Sequence, residues 1–315
     1  MKKICVSVLS FLLFHSVLSQ LTALEINFIF ETGACFGITQ ELVYEGDSRI
    51  SQLDWNDLFI PNIGFTTQVS ARSFFFSFGL TSAIPAVSGE MENFDFLIPG
   101  SQEASHYSWH KNNLDKDFTL EAAVGYEFRF GIWRITPSGG FQFRNRKWTA
   151  TDGFLQYPIA GHWTGNEPEV MQNGPVISYE QAIWFPFAAL QIGIEHIVPH
   201  EGRWMYSVQA RIYPRVSVES NDIHFLRDMQ FYDSMQGGIG NSFTIRNEFF
   251  PQHANGLGFM VVLHWESISN VRGTTSSNKT GTATGPAVIT EGFSAGTEIV
   301  QSSVSFNIFI PLFRR

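Results

Sequence analysis

The sequence predicts an all-β protein, a ten-stranded antiparallel transmembrane β-barrel of the bacterial outer membrane. Three observations predict it. Apolar and polar residues alternate through many long segments, as in Ser303-Val304-Ser305-Phe306-Asn307-Ile308, which is the period of a strand with two unlike faces. Only 16% of the residues are charged, while 31 are Phe and 8 are Trp, against a charged fraction of about 25% in average soluble domains. No run of about 20 apolar residues follows the N-terminus, so no spanning helix is available. An aromatic-rich, charge-poor chain of this kind is a large soluble β protein or a membrane barrel.

Residues 1–19 read as a secretory signal. Lys2 and Lys3 form a positive start, residues 4–17 an apolar stretch, and Val17-Leu18-Ser19 a site for a cut near Gln20. Residues 20–315 then form a single barrel domain with long extracellular loops. Loss of the two lysines moves the formal charge from −9 to −11, which argues against nucleic acid and favours a cationic partner. Cys35 is left alone, so no intramolecular disulfide is expected.

In chain order, strands are expected over residues 24–44, 49–69, 73–89, 114–130, 133–151, 176–198, 203–220, 235–250, 257–272 and 296–313. Gly and Asp at 45–48 turn the first hairpin. Polar or low-complexity connections follow at 90–113, 152–175, 221–235 and 273–295, the last rich in Gly, Ser and Thr. The connections after strands 2, 4, 6 and 8 are short and those after 3, 5, 7 and 9 long. Successive antiparallel connections lie at opposite ends, so the short turns belong on the side of the termini and the long loops on the outer side. Strands of about 17–20 residues exceed the roughly 9–11 needed to cross a membrane, so the surplus should stand above it. Pro186, Pro214 and Pro311 are expected at bulges or strand ends.

The long-loop end carries the chemistry. Asp222 and His224 lie two apart at the top of the seventh strand, so both point to one face. A carboxylate beside an imidazole is a general-base arrangement. Asn93 and Asp95 repeat the spacing at the top of the third strand, and Glu41 lies at the top of the first. A His–Asp pair opposite an Asn–Asp pair can hold a water between them, which the imidazole would deprotonate for amide hydrolysis without a covalent intermediate. His106, His110, His162, His200 and His253 read as solvated loop residues, and no spacing suggests a metal site.

These residues carry a resemblance. Glu41-Leu42-Val43-Tyr44, Ser51-Gln52-Leu53-Asp54-Trp55, Gly140-Phe141-Gln142, Tyr179-Glu180-Gln181 and Glu219-Ser220-Asn221-Asp222-Ile223-His224 resemble segments of the omptins, outer-membrane endopeptidases of plasminogen-activator type, of which this chain looks like a divergent member. The resemblance implies His224 as general base, Asp222 as its orienting partner, and Asp95 with Asn93 as the water-positioning pair. It implies Glu41 in an acidic pocket that selects a basic residue before the cut bond, with Ser220 and Met91 as further substrate-binding positions. Peptide or protein substrates at the cell surface and outer-membrane lipid are the implied partners, with the active site facing outside and no cofactor.

Three departures accompany it. Asn93 stands where the family has a carboxylate, and an amide cannot exchange a proton. Ser220 stands at the second acidic position of the specificity pocket, and the adjacent Glu219 points the other way. The family's lipopolysaccharide-binding run reads Phe141-Gln142-Phe143-Arg144-Asn145 here, so a lipopolysaccharide or other lipid activator is not matched by its motif. The alternatives are a catalytically impaired relative serving as a surface adhesin or host-protein binder, and a porin-like or structural barrel. A lumen filled by side chains, expected for only ten strands, counts against the last.

Overall fold

The computed structural model describes residues 24–252, 257–279 and 288–314. The expected signal segment, His253 and part of the Gly/Ser/Thr-rich segment lie outside the described residues. The strands are β1 (Leu24–Glu45), β2 (Ser48–Ala71), β3 (Phe74–Ala83), β4 (Ala86–Asp95), β5 (His106–Tyr126), β6 (Phe128–Phe130), β7 (Trp133–Gln156), β8 (Val170–Met171), β9 (Pro175–Val198), β10 (Gly202–Tyr213), β11 (Val216–His224), β12 (Met229–Pro251), β13 (Gly258–Lys279) and β14 (Val288–Arg314). All pair antiparallel in one sheet. β3 and β4 run end to end between β2 and β5, and β10 and β11 run end to end between β9 and β12. The wall is therefore a ring of ten staves. It closes where β1 pairs β14, from Glu25 opposite Arg314 to Glu45 opposite Phe293.

Prolines mark the places where the ladder is interrupted, because they have no N–H to donate. Pro85 separates β3 from β4 and Pro214 separates β10 from β11. Pro186 pairs with Phe141 on one side. On its other side the pairing to β11 ends at Trp184 and that to β10 begins at Ala188. Pro311 sits at the bulge opposite Ile26 and Asn27. In the two-residue β1–β2 turn, Gly46 adopts φ +59°, which a hairpin of this length requires and glycine supplies without strain.

The staves extend further than the sequence pattern indicates. The polar stretch 90–113 is mostly strand, with only residues 96–105 between β4 and β5. The loop expected at 221–235 shrinks to a tight reversal through a 3-10 turn at Phe225–Arg227. Much of the Gly/Ser/Thr-rich segment also pairs, β13 reaching Lys279 and β14 starting at Val288. Cross-strand pairing overrides weak strand propensity in each case. His106 and His110 accordingly lie in β5 rather than in a loop, and His110 is fully buried.

The outer surface carries an apolar belt toward the end with the termini. Phe28, Phe30 and Phe36 of β1, Phe74, Phe76 and Phe78 of β3, Leu190, Ile192 and Ile194 of β9, and Val304, Phe306 and Ile310 of β14 are all exposed on it. These are the crossing segments. A strand such as β2, with 24 residues at about 3.3 Å per residue, continues well beyond a belt about 25 Å tall. Inside the belt the alternate residues are polar and paired. Arg144 binds Glu266 at 3.0 Å, Arg211 binds Glu121 at 2.6 Å, and Arg146 lies between Asp57 at 3.6 Å and Asp117 at 2.5 Å. A cavity of about 540 Å³ occupies this part of the lumen. Cys35 is free and buried there.

Phe306→Arg places a cation in the middle of the belt on β14. It should lower stability by about 2–4 kcal/mol if that face meets the hydrocarbon midplane. Equilibrium unfolding in lipid vesicles measures this, and an unchanged midpoint contradicts the assigned belt.

Candidate active site

Above the charged lumen the interior turns apolar. Trp55, Trp148 and Tyr179 are fully buried and stack, with centroids 5.8 Å (Trp55–Trp148), 5.7 Å (Trp55–Tyr179) and 6.1 Å (Trp148–Tyr179) apart. Trp148 donates its indole N–H to Asp57 at 3.1 Å. Met91 is fully buried in the same cluster as Trp55, because it pairs with Trp55 across the β2–β4 ladder. It is a floor residue, with no surface open to a substrate. The aromatic layer separates the lumen below from a cleft above.

The inward positions at the cleft follow from strand alternation. On β11 the buried residues are Val216, Val218, Ser220 and Asp222, and His224 continues the row. The His224 Nε2 and Asp222 Oδ2 atoms are 2.5 Å apart, and Phe231 of β12 meets the imidazole edge to face at 5.3 Å. On the facing wall, Met91, Asn93 and Asp95 of β4 point inward. Ser51 of β2 lies opposite Asp95 in register. Its hydroxyl lies 2.9 Å from Asp95 Oδ1 and 3.2 Å from Asn93 Oδ1, and its single proton serves one of them at a time. His106 of β5 pairs with Asp95 from the other side, and its ring packs against Tyr157 at 4.7 Å. The Tyr157 hydroxyl accepts from Arg227, which comes from the β11–β12 reversal, and it also feels Asp95. The two walls therefore meet at this cleft.

Electrostatics follow burial. The cleft residues lie beyond the belt: Glu41 is five residues past Phe36, the last exposed Phe of β1. Desolvation pushes the Glu41 carboxyl well above its usual range, and the nearby Asp222 and Asp233 carboxylates push it further. Asp222 is raised by the same burial and by Asp233. Burial lowers the His224 imidazole to about 4, overriding the opposite pull of Glu41 and Asp95. These shifts agree in direction, because a low-dielectric site favours neutral forms. The imidazole is thus unprotonated at neutral pH. The Asp222 and Glu41 carboxyls share a side-chain hydrogen bond, which one of them makes as the protonated donor.

The geometry thus brings Asp222, His224, Asn93, Asp95, Glu41 and Ser220 to one end of the lumen. Two further residues join them that sequence reasoning missed. Ser51 lay in view within Ser-Gln-Leu-Asp-Trp, and only cross-strand register gives it a role. Asp233 of β12 is buried and directly opposite Ser220. It fell in a stretch read as loop, so no alternation could assign it a face. Among the described residues no group of three His, Cys, Asp or Glu is placed to hold a metal ion. On the outer face of β7, the positions of the altered lipid motif are Phe141, Phe143 and Asn145. Arg144 turns inward to Glu266.

Residues 22–308 match the sequence pattern of the Omptin family. The chain belongs to the omptin family. Omptins are proteases, and an outer-membrane location goes with the family and the barrel. Among solved structures, the outer membrane protease OmpT from Escherichia coli matches this omptin with a TM-score of 0.76 at 17% identity, over 91% of this chain and 97% of that one. That likeness is one of fold. The translocator domain of the autotransporter NalP from Neisseria meningitidis covers 90% of this chain and 88% of its own at 8% identity, with a TM-score of only 0.36. No curated protein matches this omptin in sequence.

Trp55→Ala removes the centre of the aromatic floor. Truncating a buried Trp costs about 3–5 kcal/mol, so urea unfolding should shift to a lower midpoint, whereas Trp55→Phe retains most of the stability. Equal stability of Trp55→Ala and wild type contradicts a packed floor.

Proposed function

We propose that this omptin is an endopeptidase whose cleft faces the cell exterior and hydrolyses peptide bonds next to basic residues by His224-activated water. The observation that carries the reading is the Asp222–His224 pair held in one buried cleft with Asp95 and Asn93. Asp222 orients the ring through Nε2, which leaves Nδ1 as the nitrogen that can take a proton. A water between His224 and Asp95 loses its proton to the imidazole as it attacks the peptide carbonyl. The imidazolium then returns the proton to the departing amine, so no covalent intermediate forms. Asp95 and the Asn93 amide supply the water's remaining hydrogen bonds. Glu41 and its neighbours supply buried carboxyls that a cationic side chain would hold in their ionised forms. The outward orientation is supported by the apolar belt lying toward the termini, with the cleft on the strand extensions at the other end.

One observation favours a second reading. Asn93 brings neither charge nor a titratable group, and such a cleft can bind a protein without cutting it. A fluorogenic peptide with a central Arg-Arg bond, given to refolded protein, separates the two. Hydrolysis by wild type should fall by about 10²–10⁴-fold in His224→Ala, and Asn93→Asp should raise it. No hydrolysis by wild type, with activity gained by Asn93→Asp, supports the impaired binder. No hydrolysis by either protein sinks the endopeptidase reading.

The pH profile carries a sign. A general base works unprotonated, and His224 is lowered from 6.5 to about 4. Activity should therefore survive acidification through pH 6 and fall only toward pH 4. The profile of kcat/KM reads the free protein's base. An acid limb at or above pH 6.5 contradicts a buried, neutral imidazole.

A further inference from the structure

We infer that Tyr157 is a catalytic residue: held by Arg227 across the cleft, its hydroxyl donates a hydrogen bond to the carbonyl oxygen of the bond being cut. The inference rests on the hydrolytic reading of the cleft and adds the group that receives the developing charge. Attack of water on a peptide carbonyl moves the C=O electron pair onto oxygen, and that oxyanion needs a donor already in place.

Three observations point to Tyr157. The first is a fixed backbone. Tyr157 follows directly on β7, whose last residue, Gln156, is buried, accepts from the Trp163 indole at 2.9 Å and donates to the Glu167 carbonyl at 2.9 Å. Pro158 comes next and restricts Tyr157 to an extended conformation. The second is its place on the wall that carries Asp95. Tyr107 pairs with Gln156 in the β5–β7 ladder, which brings Tyr157 beside His106, and the two rings meet edge to face at 4.7 Å. His106 in turn pairs with Asp95. The third is a bond across the cleft. Arg227 ends the 3-10 turn Phe225–Arg227, and Asp228 closes that turn at φ +53°. Pairing of His224 with Met229 pins both ends of the reversal. The Arg227 guanidinium, in the field of His224 and Asp222, donates to the Tyr157 hydroxyl.

That bond decides which way the phenol works. A hydroxyl has one proton and two lone pairs. With a lone pair taken by a guanidinium, the O–H is polarised and left to donate. Burial and the Asp95 carboxylate raise the phenol above its usual range, so it keeps its proton at neutral pH. The nearby serine hydroxyls are already committed: Ser51 to Asp95 or Asn93, Ser105 to the Asp95 carbonyl at 2.9 Å, and Ser220 to Asp233 at 2.7 Å. In the step itself the water oxygen bonds to the carbonyl carbon and its proton passes to His224. Tyr157 holds the oxyanion without giving up its own proton. Return of the electron pair to carbon breaks the C–N bond, and the amine leaves with the proton from the imidazolium.

Tyr157→Phe removes the hydroxyl and keeps the ring on His106. With the fluorogenic peptide, kcat should fall by about 10²–10³-fold while KM stays close to wild type, and the acid limb set by His224 should not move. Arg227→Ala should lower kcat by a smaller factor, and added guanidinium ion should restore part of the loss. A second readout needs no cleavage. Two uncleavable peptides are titrated calorimetrically into the full chain in detergent micelles, one with a phosphinate at the central bond and one with an ethylene link. The phosphinate oxygens stand where the oxyanion would be. Wild type should bind the phosphinate more tightly, and Tyr157→Phe should lose about ten- to a hundredfold of that binding, the scale of one hydrogen bond to a charged group. Its binding of the ethylene peptide should match wild type, which shows that the cleft is folded. Equal binding of the two peptides by wild type, or full kcat or full phosphinate binding in Tyr157→Phe, overturns the inference. Loss of phosphinate binding in Tyr157→Phe, with no cleavage by wild type, upholds the place of Tyr157 and refutes only the hydrolytic reading.

Discussion

Every backbone N–H and C=O that crosses hydrocarbon must be paired, since each one left open costs several kcal/mol. The seam between β1 and β14 meets that demand, and the rest of the structure depends on it. Once the ring is closed, no edge remains in the membrane. Several of the interruptions it tolerates fall at prolines, Pro85, Pro186, Pro214 and Pro311, which have no N–H to satisfy. The same ladder runs on past the apolar belt. The cleft is therefore built on paired strands rather than on loops, and a rigid wall fixes Asp222 against His224 and Ser51 against Asp95.

The interior is layered by charge. At the height of the belt, arginines and carboxylates neutralise each other in pairs, as Arg144 does with Glu266 and Arg146 with Asp57 and Asp117. Trp55, Trp148 and Tyr179 then form a buried, stacked aromatic layer. Above them the carboxyls of Glu41, Asp222 and Asp233 gather with no arginine or lysine ion-paired to them among the described residues. This imbalance, in surroundings of low dielectric, raises the carboxyls and lowers the imidazole. A site left with surplus acid and a neutral base is disposed toward a cationic ligand and toward proton abstraction.

Much of this was legible in the sequence. Alternation, the aromatic content and the short turns on one side all follow from one rule, that a strand in a barrel wall meets lipid on one face and the lumen on the other. The Asp-x-His and Asn-x-Asp pairs were legible for the same reason, because a spacing of two fixes a shared face along a single strand. Three features were hidden. The strand ends beyond residues 89, 220 and 272 consist of polar residues that look like loop until a neighbour pairs with them. His110 looked like a solvated loop histidine and is buried in β5. Asp233 lay in a segment with no visible period.

The sequence by itself determined the class of fold, the two pairs of cleft residues and the departures at Asn93 and Ser220, because each depends on local periodicity or on residue identity. Only the tertiary structure decided that Met91 lies in the floor, that Ser51 bridges Asn93 and Asp95, and that a carboxylate at 233 stands across from Ser220. Those facts depend on register between strands. A shift of one residue turns every side chain to the opposite face, and nothing within a single strand records which residue its neighbour will present.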